Sequence, residues 1–134
     1  METFRTGAKV VRLNVNDDGY CIELHVSNDA WLKKFLDFAK NIEDKNKAHA
    51  EALKNNEDID AHIEHILKFD EEIKAEFEDM FGKGSYVETF NSELVGPEYV
   101  LEFLEACMPY IEKRVDQRTK ALEKYNPNKT GGAK

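Results

Sequence analysis

The chain has 134 residues, of which 41% are hydrophobic, enough for one compact domain with a single core. Charged residues make up 34%, and 27 acids against 19 bases leave a formal net charge of -8, which argues against bare nucleic acid as a partner because like charges repel phosphate. No apolar run reaches the ~18 residues of a membrane span, and Met1 to Arg12 lacks the apolar centre of a secretory signal, so a soluble protein of the cytoplasm is expected.

From Lys9 to Val26 the pattern has period two. Val11, Leu13 and Val15 fall on one face, and Tyr20, Ile22, Leu24 and Val26 repeat the arrangement after Asn16-Asp17-Asp18-Gly19. Asx residues ending in glycine suit left-handed turn positions, so residues 9–26 are read as a β-hairpin. Two strands alone are marginal in water, and the oily face must lie against another layer.

Ser27, Asn28 and Asp29 are candidate N-caps for a first helix, whose apolar positions are Trp31, Phe35, Phe38 and Ile42, broadened by Leu32, Leu36 and Ala39. From Glu43 to Glu57 helix formers persist without oil, as expected for a solvated, frayed or partner-covered segment. A second helix is expected from Asp58 or Asp60 to about Phe81, with Ile59, Ile63, Ile66, Ile73, Phe77 and Met80 along one seam. Asp70 occupies the missing step, where burial is costly unless the acid is paired.

Gly82 supplies a stop, and Ser85-Tyr86-Val87-Glu88 has the form of a capping box for a short helix to about Asn91. Gly96-Pro97 opens the last helix, which carries Val100, Leu101, Phe103, Leu104, Cys107, Met108, Ile111, Val115 and Leu122 and ends near Tyr125; Pro109 predicts a kink within it. Residues 127–134, with a proline, two glycines and no large apolar side chain, are read as a disordered tail. The expected fold class is α+β, predominantly helical: an N-terminal β-hairpin packed on a small bundle of about three to four helices, in a single domain spanning residues 1–126.

Several constellations suggest chemistry. Gly82-Lys83-Gly84-Ser85 can present N–H groups to an anion, but it lacks the phosphate-loop spacing and follows a helix, so a helix–helix turn is the preferred reading. Asp60, His62 and His65 share a helical turn, yet no third histidine or cysteine is near in sequence, and a solvated face is preferred to a metal site. The row Glu72, Glu76 and Asp79 is reminiscent of magnesium-binding acids in all-α nucleotide pyrophosphohydrolases, but the tight acid cluster of those enzymes is missing. Cys21 and Cys107 are read as reduced thiols in apolar or alternating segments, with no disulfide between them. No catalytic residue, cofactor or metal is assigned. The large aromatics near element ends, Trp31, Phe35, Tyr86, Phe90, Tyr99 and Tyr110, are the candidate protein-binding residues.

The order of these parts resembles the small tail assembly chaperones of siphophages and prophages of Gram-positive bacteria. The resemblance runs over residues 8–125: a hairpin with a D-G turn, a helix opening N-D-A-W-L-K-K-F, a charged helical centre, D-M-F-G-K-G-S-Y-V-E-T-F, and a last helix holding E-F-L-E-A-C-M-P-Y-I. It implies a non-enzymatic protein that binds the tape measure protein and/or tail tube subunits and keeps them soluble in the host cytoplasm, and it predicts either reversible self-association or a complex with a tape measure fragment. In that family a frameshift near the end of the reading frame often yields a longer product, which the Gly131-Gly132 tail would suit. Two alternatives are an acidic regulator or inhibitor that imitates DNA, motivated by the net charge, and a metal-dependent nucleotide hydrolase using Glu72, Glu76 and Asp79.

Overall fold

The computed structural model describes residues 1–17, 19–54 and 59–125. The proposed tail at 127–134, along with Asp58 and Glu57, lies outside the described residues. In chain order the elements are β1 (Val11–Val15), β2 (Tyr20–Leu24), α1 (Asp29–Lys54), α2 (Ile59–Phe81), α3 (Ser85–Phe90) and α4 (Pro97–Lys124). The fold is α+β and predominantly helical, with the expected hairpin and four helices.

The strands pair antiparallel, Leu13 opposite Ile22 and Val15 opposite Tyr20. Asn16 and Gly19 take the positive φ values, 56° and 76°, that Asx and glycine tolerate. Asn16 also ties the turn to the helices, because its Nδ2 donates to the Glu88 carbonyl at 2.8 Å. The alternating face is buried as read: Val15, Ile22, Leu24 and Val26 enter the core while Arg12, Cys21 and Glu23 stay outside.

Asn28 is the cap of α1, its Oδ1 accepting the Trp31 N–H at 3.1 Å. The helix continues through the oil-poor stretch to Lys54. Ion pairs Lys34–Asp79 and Lys45–Glu72 set α2 antiparallel to α1. On the other side of α1, Arg118 of α4 reaches Asp29, while Leu104 lies beside Ala39 and Glu43, so α4 also runs antiparallel to α1 and parallel to α2. One aromatic cluster locks α2, α3 and α4 together: the Phe77 ring lies 5.7 Å from Tyr86, 5.3 Å from Phe90 and 5.5 Å from Phe103.

Helix α4 passes unbroken through Pro109. That proline and Glu105, whose carbonyl loses its usual partner, are both exposed, so water can satisfy the freed group.

The capping box does not form. Gly84, at φ 83°, is the N-cap of α3 and no side chain caps the helix. The Ser85 hydroxyl instead donates backward to the Gly82 carbonyl at 2.6 Å, and the Gly84 N–H is taken by Glu78 Oε2 at 2.6 Å. A left-handed glycine directly before the helix turns the Ser85 side chain away from the orphan N–H groups, and a carboxylate from the previous helix reaches that turn.

Candidate protein-binding site

The six aromatic residues do not form one surface. Trp31, Phe35 and Tyr86 are 8%, 0% and 0% exposed and lie in the core. Trp31 stacks on Phe35 at 5.4 Å within α1 and meets the Phe81 ring of α2 at 6.0 Å, and the Tyr86 hydroxyl accepts the Val95 N–H at 2.9 Å, tying α3 to the link before α4. Phe90 is half-buried and shares with exposed Tyr99 an open depression of about 460 Å³ between the hairpin turn and α4. Tyr110 is exposed elsewhere, beside Lys9, Lys113 and Arg114.

Uncovered oil sits instead where helices outrun their neighbours. The seam of α2 is buried at Ile73, Phe77 and Met80, but Ile63 and Leu67 are 45% and 47% exposed and Ile66 is half-buried. The last buried residue of α4 is Ile111, while Val115 and Leu122, on the same face, are exposed. Sequence periodicity assigned Ile63 and Val115 to the core; the structure corrects both, because α4 begins only at Pro97, level with Asp70, and among the described residues the cover that encloses Ile111 does not extend to Val115.

Asp70 marks the limit of the cover that α4 gives α2. It is 5% exposed and its Oδ1 has no hydrogen-bond partner. No lysine of α1 faces it; burial, reinforced by the Glu98 carboxylate of α4, raises its pKa to about 6. On the opposite face of the same hairpin of helices, the structure assembles histidines that are remote in sequence. His62 is buried, not solvated as expected, and its Nε2 lies 3.2 Å from the His49 carbonyl, with the two rings 5.1 Å apart. Desolvation, then the charges of His62, His65 and Lys45, hold His49 below the usual imidazole range. The sequence signal for this pairing was the antiparallel return of α2 on α1, which spacing alone does not register.

The turn between α2 and α3 supplies its own anion, since Glu78 fills the Gly84 N–H. Of the acid row, Glu72 and Asp79 each meet a lysine of α1, at Lys45 and Lys34. Among the described residues no group of three or more His, Cys, Asp or Glu side chains is arranged to hold a metal ion. Cys21 and Cys107 are both free thiols; Cys21 is exposed, while burial pushes the Cys107 thiol up to about 12, leaving it uncharged at neutral pH. Among the described residues no helix is long and apolar enough to cross a membrane. Comparison with family models, curated proteins and solved structures finds no match.

Proposed function

We propose that this chain is a binding protein of the tail assembly chaperone type, which holds the tape measure protein or tail tube subunits of a Gram-positive siphophage soluble in the host cytoplasm. The observation that carries the reading is a pair of exposed apolar stripes on charge-rich helices, Ile63 with Leu67 and Val115 with Leu122. A tape measure is a long helical polypeptide with apolar stripes of its own. A helix face that covers such stripes while its carrier keeps a net charge of -8 shields them from one another and repels further copies. The order of sequence elements described above supplies the phage assignment.

Co-expression with a helical fragment of a siphophage tape measure protein tests this directly. The fragment is expected to move from the insoluble to the soluble fraction and to co-purify with the chain. A fragment that stays insoluble at equal expression removes the chaperone reading.

A further inference from the structure

In a chain whose acids outnumber its bases 27 to 19, one cavity is lined by bases and no acid. It encloses about 480 Å³ between the open end of the hairpin and α4, and its charged walls are Lys9, Lys113 and Arg114. Two hydrogen bonds build it. The Lys9 N–H donates to Ser27 Oγ at 2.9 Å, fixing the chain before β1 to the chain after β2, and Arg114 Nε donates to the Val26 carbonyl at 3.2 Å, fixing α4 to that end of the hairpin. Tyr110, Lys113, Arg114 and Gln117 line the cavity from one face of α4, as their spacing of three and four requires. Glu112 and Asp116 step off that face at about 100° per residue, and Asp116 is held by Lys120 at 3.1 Å. We propose that this cavity binds a nucleoside phosphate, with the phosphate oxygens among Lys9, Lys113 and Arg114 and the base on the Tyr110 ring.

Each of these groups has capacity to spare. The bond to Val26 uses one of the guanidinium donors, so it sets the plane of Arg114 and leaves both terminal nitrogens without a partner among the described residues. Lys9 and Lys113 make no ion pair there either. A fixed fork between two mobile point charges suits a phosphate better than a carboxylate, because three cations over-neutralise a single negative charge and can share three oxygens. Tyr110 is 39% exposed, and among the described residues no ring or cation lies against it, which leaves a face for a planar base. The volume falls within the ~300–1,000 Å³ of small-molecule sites. A nucleic acid strand fits worse, since it would run from this patch onto the acidic surface around it. A mononucleotide meets only the local charge, because exposed acids farther than about 8 Å away are screened at physiological salt.

The proposal does not rest on the chaperone reading; nucleotide binding without tape measure binding, or the reverse, separates the two. Titration of the isotope-labelled full chain with ADP at low salt, followed by NMR, tests it. EDTA is included so that the acids Glu72, Glu76 and Asp79, which line depressions between α1 and α2, bind no metal–nucleotide complex. Saturating amide shifts are expected at Lys9, Ser27 and Tyr110 to Gln117, with an affinity that falls as salt is added. Adenosine, which lacks the anion, and inorganic phosphate, which lacks the ring, are each expected to bind at least about tenfold more weakly. Lys9→Ala combined with Lys113→Ala changes two exposed positions, so that variant is expected to keep the wild-type circular dichroism and to bind ADP about tenfold more weakly or worse. Tyr110→Ala is expected to weaken ADP and to leave the affinity for inorganic phosphate unchanged. Absence of saturable shifts overturns the proposal, as do shifts confined to other parts of the chain or ADP binding that either variant retains in full. Inorganic phosphate that binds as tightly as ADP overturns it by removing the base, and triglutamate that binds as tightly overturns it by assigning the cavity to an acidic protein segment.

Discussion

Between Ile73 and Met80, α2 presents Ile73, Phe77 and Met80 to its neighbours with at most 8% of any of them exposed, whereas a few turns earlier Ile63 and Leu67 stand nearly half open to solvent. The spacing of apolar residues is the same in both halves, and so is the helix. What differs is the cover. The inner half is closed by α1, α3 and α4 together; among the described residues the outer half has α1 alone, because the chain re-enters the bundle at Pro97, level with Asp70. An amphipathic pattern therefore states which face of a helix seeks burial, and the length of the neighbours decides how much of that face obtains it.

The contrast can be broken most severely at Phe77, which is fully buried among Phe81, Tyr86, Phe90 and Phe103. Phe77→Ala is expected to cost about 3–5 kcal/mol in urea unfolding, because the surrounding rings cannot collapse into the space. At the edge of the same cluster, Tyr86→Phe keeps the ring and removes the partner of the Val95 N–H, with an expected loss of about 1–2 kcal/mol.

Asp70→Asn acts at the border of the two halves and has the opposite sign. The folded-state pKa of about 6 lies above the ordinary aspartate value of 3.8, so the folded chain holds this proton more tightly than the unfolded one. The wild type therefore gains stability from this group as pH falls through 6 and loses it as pH rises. The variant is expected to be more stable than wild type by about 1 kcal/mol at pH 7 and to lose that advantage by pH 4. Thermal melts at both values check it. Ile63→Ala, in the open half, is expected to change monomer stability by less than about 0.5 kcal/mol. A loss comparable to that at Phe77, measured at concentrations where the chain is monomeric, would show that the outer half is covered after all.

Much of the fold was legible along the chain. The alternation of Leu13 and Val15 with Arg12 and Asn14 announced the hairpin and its inner face, and Asn28 and Gly82 marked where helices begin and stop. These are short-range properties, set by dihedral preferences and by hydrogen bonds a few residues long. The candidate site was less legible. Trp31, Phe35 and Tyr86 had the composition of interface anchors, but anchors and core residues are the same residue types, and only their neighbours distinguish them. The S-x-x-E pattern at Ser85 failed for a related reason: the Ser85 N–H that Glu88 would have taken bonds instead to the Gly82 carbonyl at 3.1 Å, and the Ser85 hydroxyl turns back to the same oxygen.

The sequence by itself determined the strands, the helices and the face of each that is oily, since periodicity and turn chemistry act within a few residues. Only the tertiary structure decided which stretches of those faces are covered, that His49 meets His62, and that Asp70 is buried without a partner for Oδ1. Those outcomes depend on where a distant helix starts and ends, and burial is a sum over neighbours that local pattern does not contain.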